Sequence, residues 1–261
     1  MLAFLSQSDI IILVKRKTEK PKRKGEQKLM NKKFYCVLDT ETANSVEQPL
    51  PYDLGFAIID KQGKVYETYS FVIADIYCGH KDLMNTAYYA EKIPNYEKDL
   101  KDGKRKLVAL KTAQRIFEST LKKYNIKEIY AYNAIFDKKA LNNDIRYITK
   151  SKYRWFFPYG TEIKCIMSIA CDLLMCRPSY IKFCLENELL TEKGNISTTA
   201  ETCYKYITKT IDFSESHTGL EDVLIESEIL AYCFRQKKKI DGTPKANCWM
   251  KVRKFRKEMN L

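Results

Sequence analysis

Histidine is scarce in this sequence, with two in 261 residues, and no two of its nine cysteines are spaced as Cys-x-x-Cys. A zinc site built from tight ligand pairs is therefore not indicated. Cys165, Cys171, Cys176 and Cys184 cluster, but they read as small buried apolar side chains. Glycine and proline are few, nine and seven, which excludes fibrous and low-complexity chains. No run approaches the roughly 18 apolar residues that a membrane-spanning helix needs. The opening MLAFLSQSDIIILV has no basic residue ahead of its apolar part, and Lys15, Arg16 and Lys17 come after it. That order is wrong for a secretory signal. Reduced thiols in a cytoplasmic protein are the expectation, with the Asn195-Ile-Ser197 sequon idle there.

Charge is abundant and uneven. The net +13 comes from the two ends: residues 1–33 carry +7, residues 235–261 carry +8, and the body 34–234 carries −2. Basic ends on a nearly neutral body suit a polyanionic partner, nucleic acid first, or else solvated tails. Residues 15–33 read as a flexible leader, so the expected divisions are a leader over 1–33, a folded body over 34–234 and a basic, helical tail over 235–261. Met30 lies just ahead of the first strand and is a candidate alternative start.

Periodicity gives the elements. Phe34–Leu38 reads as a buried strand ending in Asp39-Thr40-Glu41-Thr42, Tyr52–Ile59 as a second strand and Lys64–Ile73 as a third, with a turn at 60–63. Residues 79–103 read as a helical insertion broken at Pro94. A helix is expected over 105–124, with Leu107, Leu110, Ile116, Phe117, Leu121 and Tyr124 as its stripe. A strand at Glu128–Tyr132, a helix at Phe136–Ile148 and a strand at Thr161–Ile166 follow. Further helices are expected near 167–176, 179–187, 198–208 and 218–236. The order implies an α/β fold: a mixed sheet of three antiparallel strands plus parallel ones, flanked by helices, of the ribonuclease H-like kind.

Three short elements carry candidate chemistry. Asp39 and Glu41 stand at i and i+2 near a strand end, so their carboxylates share a face. They would repel each other unless a cation lay between them, and hard oxygen ligands suit Mg²⁺ or Mn²⁺. In AYNAIFDKKAL, Asn133 precedes a helix as a cap or contact residue and Asp137 falls in its first turns. In HTGLED, Thr218 and Glu221 have capping-box spacing, which leaves His217 on the loop and Asp222 in the first turns of the next helix. Taken singly, each element is also compatible with an ordinary solvated strand or helix end.

Together the three stretches VLDTET at 37–42, YNAIFDKKAL at 132–141 and HTGLED at 217–222 resemble the motifs of the DEDDh family of 3′→5′ exonucleases. The likeness spans about 34–234 and leaves out both basic ends. MNTAYYAEKIPNYE at 84–97, AETCYKYI at 200–207 and 212–230 look most like bacteriophage or prophage exonucleases. The resemblance implies a two-metal hydrolase acting on a free 3′ end, preferably of single-stranded DNA, and cytoplasmic in a bacterial host. It implies two divalent cations, Mg²⁺ or Mn²⁺, with Asp39, Glu41 and Asp222 holding one and Asp39 and Asp137 the other. It implies His217 as the base that takes a proton from water. Thr42, Ala43, Asn133, Phe136 and Trp155 are candidate substrate contacts, with Lys152 and Arg154 alternating with aromatics around Trp155. Tyr88, Tyr89, Tyr96, Phe156 and Phe157 are further candidate stacking surfaces. An exoribonuclease acting on short RNA and a catalytically silent nucleic-acid-binding module are the alternatives.

Overall fold

The computed structural model describes residues 32–150 and 152–260. The leader and the alternative start at Met30 lie outside the described residues, apart from the leader's last two. One compact unit runs from Phe34 onward.

Its centre is a six-stranded sheet in the order β4-β3-β2-β1-β5-β6. β1 (Phe34–Ala43), β2 (Leu50–Asp60) and β3 (Val65–Ile73) form an antiparallel meander. β4 (Lys106–Val108) pairs parallel with β3, β5 (Glu128–Ala131) parallel with β1, and β6 (Glu162–Cys165) parallel with β5. This is the mixed α/β sheet that the element order implied. β2 is buried along its whole length because helices cover both faces.

Ten helices are described: α1 (Ala74–Tyr77), α2 (Lys81–Met84), α3 (Ile93–Lys101), α4 (Leu110–Lys123), α5 (Ala134–Thr149), α6 (Ile166–Ala170), α7 (Pro178–Glu186), α8 (Ala200–Thr208), α9 (Gly219–Arg235) and α10 (Met250–Glu258). A single 3-10 turn, Ala90–Lys92, leads into α3. Alternation along β1 divides the core. Phe34, Cys36 and Leu38 face Leu110, Phe117 and Leu141 of α4 and α5, while Tyr35 and Val37 face Val223, Ile229 and Leu230 of α9. Among the described residues no helix is long and apolar enough to cross a membrane.

The structure departs from the sequence reading in four places. Residues 106–108 are not helical. They pair with Phe71–Ile73 at the sheet edge, which supplies partners for their backbone groups, and Leu107 stays exposed instead of joining the helical stripe. Pro94 does not break the insertion. It sits in the first turn of α3, where its missing N–H costs nothing. The helix expected at 167–176 starts one residue earlier, at Ile166, and widens into a π turn at Cys171–Met175. The first strand also runs on through the acids to Ala43, with a register shift between Glu41 and Thr42.

The basic C-terminal stretch includes α10. Val252 is buried among the residues on the α9 side of the sheet. Lys251 pairs with Asp172, and Gly242 O accepts the Cys165 N–H at 2.8 Å.

Candidate metal centre

Three chain segments meet at one end of the central strands. β1 presents Asp39 and Glu41, α5 presents Asp137, and α9 with the loop before it presents His217 and Asp222. All five line one cleft of about 370 Å³, together with Asn133, Phe136 and Tyr89. One oxygen each of Asp39, Glu41 and Asp222 lies within 4.8 Å of the others. Thr40 Oγ1 donates to Asp137 Oδ1 at 2.9 Å and ties β1 to α5.

Close spacing and burial act together on these acids. The Asp39 carboxyl is held well above its usual range, first by burial and then by the charges of Glu226, Asp137, Glu41 and Asp222. Burial is the main cause for the others as well. Glu41 is pushed up to about 9, with Asp222 adding repulsion. Asp222 is raised to about 8 and Asp137 to about 7. Asp222 Oδ1 and Glu226 Oε2 are buried without a hydrogen-bond partner. An all-oxygen set with mutual repulsion and unsatisfied acceptors fits a hard divalent cation.

A stability prediction follows. The folded carboxyls keep protons at pH values where the unfolded chain has lost them. The native state therefore binds more protons, and stability falls as pH rises. In chelator, this stabilising contribution is complete below about pH 4 and is lost as pH climbs through the 7-to-9 range of Asp137, Asp222 and Glu41. Melting curves across that range should show a falling midpoint that Mn²⁺ restores at pH 8. A midpoint rising from pH 5 to pH 8 in chelator would contradict this account.

His217 has a left-handed backbone (φ 53°) and stacks on Tyr89, with ring centroids 4.2 Å apart at 7°. Burial lowers its pKa below the ordinary 6.5, against the opposing pull of Glu201. The imidazole is thus neutral at pH 7 and able to accept a proton.

The N-terminus of α9, and with it Asp222, is fixed by contacts that sequence reasoning missed. Asp53, fully buried on β2, accepts hydrogen bonds at Oδ2 from Tyr96 (2.6 Å), Arg105 (3.1 Å) and the Gly219 N–H (2.9 Å). Arg105 also binds Asp99, Ser70 and Glu221. Backbone packs on backbone here: a Cβ on Gly55 would lie 2.3 Å from the Gly219 carbonyl carbon. Thr218 does not cap the helix backbone. Its hydroxyl donates to Glu221 Oε2 at 2.6 Å. Asn133 stands at the N-cap of α5 but makes no capping bond there and is exposed at the cleft.

Two more acids line the cleft, Glu215 and Glu226. Glu226 lies one helical turn after Asp222, so the i,i+4 spacing was the signal available for it. Three of the candidate substrate contacts fall elsewhere. Ala43 is fully buried in the core, the Thr42 carbonyl accepts the Tyr88 N–H at 3.4 Å, and neither residue lines the cleft. Trp155 lines a separate groove beside α5.

No protein-family model matches the chain, and no curated protein does. Among solved structures, it is similar to the zinc-bound E. coli exonuclease I–ssDNA complex, at 15% identity over 79% of this chain and 41% of that one, with a TM-score of 0.48. It is also similar to E. coli exonuclease I in complex with a dA16 oligonucleotide, at 14% identity over 78% and 42%, with a TM-score of 0.46. The chain spans about two fifths of the length of those proteins.

Proposed function

We propose that this chain is a metal-dependent 3′→5′ exonuclease of DEDDh type that releases nucleoside 5′-monophosphates from single-stranded DNA. The observation that supports this most is the meeting of Asp39, Glu41 and Asp222 within 4.8 Å in the cleft that His217 also lines. On this reading residues 34–234 are the nuclease body and 79–103 an insertion in it. The resemblance of its 84–97, 200–207 and 212–230 stretches to bacteriophage or prophage exonucleases supports work in the cytoplasm of a bacterial host.

Asp39, Glu41 and Asp222 would hold one Mg²⁺ or Mn²⁺ ion, and Asp39 with Asp137 a second. Such ions, when bound, supply positive charge that offsets the carboxylates and the phosphodiester, and they acidify water. The protein's own part is positional and acid–base. The neutral His217 imidazole takes the proton of the attacking water at a ring nitrogen, and Tyr89 holds the ring by stacking. Asn133 and Phe136, at the cleft wall, meet the terminal nucleotide. Burial of the acids keeps the site short of competing solvent, which strengthens each electrostatic contact.

The decisive experiment is incubation with 5′-labelled single-stranded DNA, duplex DNA and RNA, with and without Mn²⁺. A ladder that shortens from the 3′ end of single-stranded DNA is the expected result. Preference for RNA would make the protein an exoribonuclease, and no ladder on any substrate would reject a nuclease. His217→Ala should lower turnover by about 10²–10⁴-fold and remove the acid limb of the pH–rate profile. An unchanged profile would take His217 out of the mechanism.

A further inference from the structure

Beside the acidic cleft, on the outer side of α5, runs a larger groove of about 780 Å³. Such a volume lies within the roughly 300–1,000 Å³ of ligand sites. Its lining holds three cations, Lys138, Lys139 and Arg146, and no acid. Two aromatic side chains at its edge are turned out to solvent: Trp155 is 63% exposed and Tyr159 fully so. Among the described residues, Lys138 and Arg146 have no ion-pair partner, so their charges are free to meet an anionic ligand.

The exposed tryptophan is not on a loose loop. Phe156, next in sequence, is fully buried against Phe117. Its N–H donates to Asn142 Oδ1 at 2.9 Å, and Gln114 Nε2 donates to the Phe156 and Trp155 carbonyls at 2.9 and 3.2 Å. Three bonds from α4 and α5 thus hold Trp155 outward over the groove. Held rigidly outward beside the cations of the groove, the indole offers a flat face on which a base can stack.

α5 connects the two sites. Asn133, Phe136 and Asp137 line the acidic cleft, while Ala134, Ile135 and Lys138 line the groove. A strand whose 3′ end lies in the cleft can therefore pass along α5 with its phosphates on the cations and a base on Trp155. We propose that this groove binds the single-stranded DNA 5′ of the scissile nucleotide. Charge complementarity and the base-sized aromatic shelf favour that occupant. The inference rests on the nuclease reading for the position of the 3′ end.

The test is binding of 5′-fluorescein single-stranded DNA of 3 and 12 nucleotides to the full chain in chelator, where nothing is cut, read by anisotropy. In the wild type the longer strand should bind more tightly. Trp155→Ala and Arg146→Glu together should weaken the 12-mer by about 10–100-fold, the loss of one stacked base and one phosphate contact, and remove most of the dependence on length. Arg146→Lys should keep affinity, and the dependence of binding on salt should become shallower in Arg146→Glu by about one contact. Both changed side chains are solvent-exposed, and circular dichroism melts will show whether the fold is retained. Unchanged length dependence in the double variant would overturn the proposal, as would undiminished affinity of that variant for the 12-mer. Cleavage of the same strands by the wild type in Mn²⁺ is a separate arm. A wild type that binds the 12-mer through Trp155 and Arg146 but never cuts it would sink the nuclease reading and leave the groove standing.

Discussion

Asp39→Asn should abolish cleavage and, at the same time, raise the melting temperature of the metal-free protein at pH 8. The two effects have one cause. Asp39 feels the charges of four other acids in the cleft, Glu226, Asp137, Glu41 and Asp222. An amide of the same shape removes that repulsion but is a poor ligand for a hard cation. The loss of rate should exceed the about 10²–10³-fold that follows removal of a single stabilising hydrogen-bond donor, since Asp39 serves both proposed ion sites. Binding of DNA in chelator should persist. Gel assays in Mn²⁺ and melts in chelator measure both sides. A variant that cuts within tenfold of the wild type would reject the metal role, and an unchanged melt would reject the repulsion.

Arg105→Leu should unfold much of the protein or leave it severely destabilised. Arg105 is 4% exposed, and its guanidinium binds Asp53, Asp99, Ser70 and Glu221 at once. Asp53 has no exposure at all, and burial already pushes its pKa up despite the cation beside it. Removing one partner of a buried pair costs about 3–5 kcal/mol because the other charge is left stranded. That is a large share of the about 5–15 kcal/mol that separates most native states from unfolding. Adding Asp53→Asn should recover part of the loss, since no fully buried charge is then left unpaired while the Tyr96 and Gly219 donors keep an acceptor. Urea unfolding of the two single variants and the double variant measures the coupling. A cost below about 1 kcal/mol for Arg105→Leu, typical of a surface pair, would contradict this role.

The contrast between these residues explains what the sequence could reveal. Asp39 and Glu41 stand two apart in a strand, and Asp137, His217 and Asp222 stand at helix starts, so local geometry alone aims them at one sheet end. The Arg105 hub joins residues from β2, β3, α3 and α9, and nothing in its neighbourhood marks it. Leu107 fits a helical stripe as well as it fits a strand. Only the free edge of β3, a tertiary feature, decides between them. Thr42 and Ala43 follow the acids in sequence, but the register shifts after Glu41, Ala43 packs with Cys36 and Leu38 in the core, and neither residue lines the cleft. In sequence, the cationic neighbours of Trp155 are Lys152 and Arg154. The cations that share its groove are Lys138, Lys139 and Arg146, which come from a different element.

The dependence of Asp222 on contacts between α9 and β2 bears on biosynthesis. A ribosome releases Asp39, Glu41 and Asp137 long before Gly219, and Gly219 must settle on Gly55 and Asp53 before Asp222 can join them. The nascent chain therefore carries an incomplete acid cluster until Asp222 has been made and α9 has docked. The carboxylates of Asp39, Glu41 and Asp222 come together only after α9 has emerged, so the proposed ion site is completed by the last of its three segments to be made.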